Sequence, residues 1–247
     1  MPDRLLERQA SLLDYLRSED AIFGERGSAA IDPSLDGIDD ELLRIEARFS
    51  YEKRMTKIQV LLPRTFELLA GELEKILREF NRACPPSGIS SFENARLFYQ
   101  FLTDRWRQEP PKLPYLPDVA AYEIACAGFR RDEGHDRRSV SRDAPQGSIR
   151  RHPDAVLLRC TYDVQPIFTA AGRNGAPIKR DTPLAIAMSP QADQTMVLEL
   201  LPSVFDLLTL LDDYTDPAAF GETPSGAHTL AGLIADLAAL GLLEVHG

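Results

Sequence analysis

The stretch Ala155-Val156-Leu157-Leu158-Arg159-Cys160-Thr161-Tyr162 decides the fold class, because it marks a change from helical to strand-like patterning. It combines aliphatic, β-branched and aromatic residues in a run of the length typical of a strand. Further strand-like runs follow at 164–170, 184–188 and 195–200, and residues 242–245 fit one short closing strand. The sequence therefore predicts an α+β protein, with helices first and a small antiparallel sheet plus helices second.

Before this stretch, apolar residues recur at the spacing of three and four that is typical of amphipathic helices. Asp39 or Asp40 is placed to cap one of these helices, and Pro63 either interrupts that helix or opens the next one as a first-turn proline. Ser90 or Ser91, followed by Glu93, is a capping arrangement for a third helix. The last helix of this part follows Asp118, which we predict to be its N-cap. We therefore predict a helical bundle lobe over residues 1–129.

An arginine-rich segment, residues 130–152, separates the lobe from the strands. It has no hydrophobic period and contains glycine and proline, which favours a linker between domains. Residues 153–247 then form the predicted β-then-α module, whose last helix Gly241 is placed to end. The linker holds seven arginines, which are Arg130, Arg131, Arg137, Arg138, Arg142, Arg150 and Arg151.

Charge and cysteine usage restrict the class of protein. The net charge of −10 disfavours nucleic acid as a partner, because an acidic chain repels the phosphate backbone. The spacing of Cys84, Cys126 and Cys160 matches no metal or redox motif, and indicates buried, reduced thiols. The charged N-terminus does not resemble a signal peptide, and no apolar run is long enough to cross a membrane. We expect a cytoplasmic protein without a membrane partner.

No catalytic or metal-binding pattern is visible in the sequence. His135 and His152 lie in or beside the linker without a third ligand at suitable spacing, and His228 and His246 are isolated. There is no nucleophile elbow and no glycine-rich phosphate loop. We therefore expect no metal site, no cofactor in this chain and no stand-alone enzyme activity.

Three segments carry a family resemblance: Leu61–Phe66, Phe80–Pro86 and, above all, the proline-flanked segment Leu113–Ala120. In these segments the chain resembles the bacterial HvfC/BufC-type family, whose members are described as DNA-binding domain proteins. The resemblance implies the role that MbnC and TglI have, as partners of multinuclear-iron TIM-barrel oxidases. Such oxidases modify cysteines of ribosomally made precursor peptides. The chain would then be noncatalytic, and the iron would belong to the partner enzyme.

The C-terminal module resembles winged-helix-like peptide-recognition modules of the PqqD type. Such modules bind a leader peptide by adding a strand to an open sheet edge beside an apolar helix. The alternative is that the apolar residues of these elements close the small core. The residues predicted to bind peptide are Thr195, Val197, Glu199, Leu230, Ile234 and Leu237. The residues predicted to face the oxidase are Tyr115, Asp118, Tyr122, Arg130, Arg131, Arg137 and Arg138.

Two alternative functions follow from the same features. A winged-helix pattern beside an arginine-rich linker is also compatible with a DNA-binding transcriptional regulator. However, the last helix, residues 230–240, contains no lysine or arginine, which disfavours it as a recognition helix. The arginines themselves are compatible with a solvated linker that has no partner, or with a docking segment for an acidic partner.

Overall fold

The structure is a computed structural model that describes residues 2–24, 31–85, 90–129, 144–169, 175–190, 194–220 and 230–246. The chain forms two compact units, Met1–Leu113 and Pro114–Gly247. In the described residues, the first unit is helical, and the second contains the strands together with further helices. The predicted α+β class is confirmed.

Six helices build the described part of the first unit. They are α1 (Pro2–Arg17), α2 (Glu19–Phe23), α3 (Asp40–Leu61), α4 (Pro63–Leu68), α5 (Leu73–Ala83) and α6 (Ser91–Gln108). The Asp39 carboxylate caps α3 by accepting from the backbone N–H groups of Glu41 and Leu42. Pro63 occupies the first turn of α4, and Ser90 and Glu93 form a reciprocal capping box on α6. The structure thus selects Asp39 rather than Asp40, Ser90 rather than Ser91, and Pro63 as a helix start, each through local side-chain chemistry.

The core of the first unit contains an aromatic cluster and a buried arginine. Phe98 lies 5.4 Å from Phe66 and 5.0 Å from Phe80, measured between ring centroids. The Arg54 side chain is buried, and its guanidinium lies 4.7 Å from the centroid of the Phe80 ring. Arg54 Nη1 donates to the carbonyl oxygen of Cys84 at 2.8 Å, where α5 ends. A cation is favoured there by the negative end of the helix dipole, so Arg54 joins α3 to α5.

The described part of the second unit contains two small antiparallel sheets. The strands are β1 (Ile149–Arg151), β2 (Val156–Tyr162), β3 (Lys179–Met188), β4 (Thr195–Glu199) and β5 (Leu243–Val245). β1 pairs with β5, and the other three strands lie in the order β2-β3-β4. The helices are α7 (Leu116–Phe129), α8 (Pro202–Thr209) and α9 (Leu230–Ala239). In the three-stranded sheet β3 is the central strand, and β2 and β4 are the outer strands.

Side-chain alternation along β3 gives the three-stranded sheet two apolar faces. Ala185 and Ala187 share a core with Leu208 of α8 and Leu237 of α9. The intervening residue Ile186 is also fully buried and belongs to the opposite face. Helix α7 contacts both β2 and β3. A strand that is buried on both faces reads as a continuous apolar run, as β3 does from 183 to 188.

The observed boundaries differ from the predicted ones in the middle of the chain. Helix α7 belongs to the second unit, whereas the predicted lobe extended to residue 129. The predicted linker ended at 152, but Ile149–Arg151 is strand β1 and pairs in register with β5. Residues 130–143 lie outside the described residues. The predicted strand 164–170 is wrong, because Gln165–Phe168 forms a 3-10 helix around Pro166, which has no N–H to donate to a ladder.

Gly241 ends α9 as predicted. Its φ of 70° lies in the left-handed region, where glycine avoids the steric cost of a side chain. The N–H of Leu242 donates to the carbonyl of Leu237 at 2.9 Å, and that of Gly241 to Ala238 at 3.0 Å. These two bonds are those of a Schellman motif, which satisfies the last carbonyls of the helix.

Candidate peptide-binding edge

The hydrogen bonds at the two ends of the β3–β4 ladder determine which main-chain groups of β4 face β3. The N–H of Leu200 donates to the carbonyl of Pro183 at 2.9 Å, and the N–H of Ser189 donates to the carbonyl of Gln194 at 2.8 Å. Antiparallel ladders alternate between bonded and non-bonded pairs along the register. The even-numbered residues of β4 therefore direct their N–H and C=O groups toward β3.

The odd-numbered residues Thr195, Val197 and Glu199 consequently direct their main-chain groups away from β3. Within the described residues, no strand pairs with this outer edge of β4. The three N–H and three C=O groups form a template for one further strand. These are the strand residues predicted to bind peptide, and the structure adds that their main-chain groups form the edge.

The side chains of β4 lie on both faces of the sheet. Leu198 packs against the core formed with α8 and α9, and so does Ile234 of α9. Leu237 is a core residue that is only 4% exposed, so it leaves almost no surface for a peptide contact. Leu230 is half-buried, and Leu201, directly after the strand, is 69% exposed. The apolar surface next to the edge is therefore offered by Leu201 and the half-buried residues rather than by Leu237.

An ion-pair network joins the end of β4 to its neighbours. Arg180 Nη2 donates to the Asp163 carboxylate at 2.7 Å and to Glu199 Oε2 at 3.1 Å. Hydrogen bonds from Arg180 to these two carboxylates raise the pKa of the guanidinium above its ordinary value. The groups are exposed, so the network contributes little to the free energy of unfolding. It holds the Glu199 side chain beside β3 and away from the open edge.

At the opposite edge of the sheet, Asp118 bonds two main-chain N–H groups near the end of β2. Its Oδ2 accepts from the N–H groups of Thr161 and Tyr162, both at 2.9 Å. A β-bulge between Cys160 and Tyr162 shifts the register there, and bulges allow two consecutive N–H groups to face one acceptor. The predicted N-cap role of Asp118 is wrong, since α7 already begins at Leu116 and its carboxylate bonds β2 instead.

The two tyrosines predicted to face an oxidase pack inside the second unit. The Tyr115 ring lies edge-on to Tyr162 at 6.2 Å, and the Tyr122 ring stacks on Phe168 at 4.5 Å. Burial, with a smaller contribution from Cys126, raises the pKa of Tyr122 to about 12. The remaining predicted residues, Arg130, Arg131, Arg137 and Arg138, lie outside the described residues.

The thiols of the described chain are unpaired by disulfides, and one of them is deeply buried. All three cysteines are free, and burial raises the pKa of Cys160 to about 12, so its thiolate is strongly disfavoured. The described residues contain no group of three or more histidine, cysteine or acidic side chains suited to hold a metal ion. Among the same residues, no helix combines the length and apolar composition needed to cross a membrane.

No family model matches the chain, and no curated protein matches its sequence. The fold and the edge define the class as an α+β protein with a helical unit and a three-stranded sheet whose β4 edge is unpaired within the described residues.

Proposed function

We propose that this chain is a noncatalytic subunit that binds a ribosomal precursor peptide and presents it to an iron-dependent TIM-barrel oxidase. The peptide adds to the sheet as a strand along the outer edge of β4. The observation that supports this proposal is the alternation at Thr195, Val197 and Glu199, whose main-chain groups face outward. Peptide binding by strand addition requires such a row of donors and acceptors.

The free energy of peptide binding has a main-chain and a side-chain contribution. Each hydrogen bond formed at the edge contributes a net ~1 kcal/mol, because the same groups are hydrated before binding. A few such bonds do not offset the entropy cost of ordering a peptide. Apolar contacts must supply the remainder, and the exposed Leu201 together with the half-buried Met196 and Leu230 offers such contacts. The peptide is therefore expected to alternate apolar residues with solvated ones.

The same geometry gives little support to DNA binding. Helices α8 and α9 contain no lysine or arginine, and α9 carries Asp236. A recognition helix without a cation lacks the phosphate contacts that supply most of the affinity for DNA. The proposal of an oxidase partner is supported by the family resemblance of Leu61–Phe66, Phe80–Pro86 and Leu113–Ala120.

Peptide binding and oxidase binding are tested separately. The gene neighbourhood is searched first for a short cysteine-containing precursor peptide and a barrel oxidase, and a neighbourhood with neither gene would contradict the proposal. The peptide found there is labelled with a fluorophore and titrated with the full chain. We expect saturable binding by fluorescence anisotropy, and at least tenfold weaker binding of a peptide with the same composition in scrambled order.

The second measurement is size-exclusion chromatography of the chain mixed with the barrel oxidase found in that search. A common peak is expected. Independent elution together with binding of the peptide would contradict the oxidase partner alone, whereas equal binding of the scrambled peptide would contradict the peptide site.

A further inference from the structure

Helix α3 carries a ridge of exposed apolar side chains on its outer face. Leu42, Ile45 and Phe49 are 59%, 57% and 58% exposed, although each is large and apolar. Their spacing of three and four residues places them on one side of the helix, one above the other. We refer to these three side chains as the α3 ridge.

The α3 ridge lies opposite the face with which α3 contacts its own unit. Leu43 and Ala47 are 4% and 0% exposed and pack with α1 and α2 residues in a common core. At 100° per residue, Ile45 and Phe49 lie roughly half a turn from Leu43 and Ala47. The N-terminal half of α3 is thus apolar on two opposite sides, a pattern expected of a helix with neighbours on both.

Acidic side chains flank the α3 ridge. Glu41, Glu46 and Glu52 are exposed on the same stretch of helix. The two arginines of this stretch are engaged with α2: Arg44 donates to the carbonyl of Gly24, and Arg48 to that of Ile22 at 3.2 Å. Arg48 and Lys53 are exposed bases on this stretch, and between residues 39 and 53 five acidic residues outnumber three basic ones.

We propose that the α3 ridge is the docking surface for a protein that presents an apolar face flanked by lysine and arginine. The apolar centre supplies affinity, and the acidic rim selects a basic partner, since rim charges govern partner choice and association rate. An anionic membrane surface is disfavoured by the same carboxylates. The ridge belongs to the first unit and β4 to the second, so different substitutions test the two proposals.

The test uses a fluorescent amphipathic peptide of leucine and lysine as the probe of partner chemistry, titrated with the full chain at ~150 mM salt. We expect saturable binding that the double variant Ile45→Ser, Phe49→Ser weakens at least tenfold. Both side chains are more than half exposed, so these changes leave the fold intact. The matched control is Leu210→Ser, which removes a leucine that is 69% exposed in the second unit and should bind like the wild type.

Four results would overturn the proposal. They are no binding of the probe to the wild type, equal binding by the double variant, equal binding of a leucine–glutamate peptide, and equal loss in Leu210→Ser. Two further outcomes would assign the ridge to another occupant and also overturn it. One is a dimer in sedimentation velocity that the double variant loses. The other is ridge-dependent binding to phosphatidylcholine or phosphatidylglycerol vesicles.

Discussion

Replacing Val197 with proline is expected to weaken binding of the precursor peptide about 100-fold while leaving the second unit folded. The N–H of Val197 faces outward and bonds no residue of β3, so its loss does not break the β3–β4 ladder. The proline removes one donor from the edge, and its ring occupies the space of the incoming strand. A loss of ~2–3 kcal/mol of binding free energy corresponds to this factor. Fluorescence anisotropy with the labelled peptide measures it.

Two matched variants separate the edge from general damage to the strand. Val197→Thr keeps the N–H and the branched shape, and we expect its affinity to stay within about threefold of the wild type. Leu198→Pro removes an N–H that faces β3 together with a core side chain, so it should lower the free energy of unfolding by ~3 kcal/mol or more. If Val197→Pro binds the peptide as the wild type does, the peptide does not pair with β4.

Replacing Asp118 with alanine is expected to lower the free energy of unfolding of the second unit by ~2 kcal/mol. The carboxylate is the acceptor for the N–H groups of Thr161 and Tyr162 at the bulge, and its removal leaves both donors to find water. Asp118→Asn keeps an acceptor oxygen of the same size and should lose less than half as much. Urea unfolding followed by circular dichroism measures both, and equal stability of Asp118→Ala and the wild type would contradict this role.

The pH dependence of the Asp118 variants follows from its pKa. Burial raises the pKa of this carboxyl, and the two backbone hydrogen bonds lower it by a smaller amount, so the net shift is upward. A raised pKa in the folded state means that the contribution to stability is present below the ordinary value of 3.8 and is lost as pH rises through the folded value. The stability of wild type relative to Asp118→Asn should therefore fall as pH rises from below 3.8 toward neutral.

The sequence predicted those elements whose signals are local. The cap candidates at 39–40 and 90–91, the proline at Pro63 and the glycine stop at Gly241 each depend on contacts within a few residues, and the structure has a helix boundary at all four. The fold class followed from the change of hydrophobic period at 155–162. Such signals survive because tertiary packing does not compete with them.

The predictions that failed depend on partners distant in sequence. Aspartate is a residue type favoured at N-caps, but Oδ2 of Asp118 accepts hydrogen bonds from N–H groups 43 and 44 residues away. The strand β1 is three residues long and is held by β5 at the other end of the unit, so no periodicity reveals it. Pro166 is a local signal against the predicted strand at 164–170, because proline has no N–H to donate to a neighbouring strand.

The sequence predicted the strand at 195–200 but not which of its main-chain groups face outward. Thr195, Val197 and Glu199 are alternate residues of one strand, so the sequence alone predicts that they share an orientation. Whether the odd- or the even-numbered residues direct their main-chain groups outward depends on the register of β4 with β3. This register depends on the turn between the two strands, and the sequence does not specify that turn. Helix α9 shows the same limit of prediction from sequence. Helical periodicity places Leu237 on one face with Leu230 and Ile234, but only the packing in the structure shows that Leu237 is a core residue.

Amide hydrogen exchange of the C-terminal unit, read residue by residue by NMR in the full chain, tests strand addition at β4 most directly. Without peptide, the amides of Met196 and Leu198 should exchange slowly and those of Thr195, Val197 and Glu199 rapidly, since only the first set faces β3. Saturating precursor peptide should slow the second set at least tenfold. Protection that appears elsewhere in the chain, with Thr195, Val197 and Glu199 unchanged, would contradict the account.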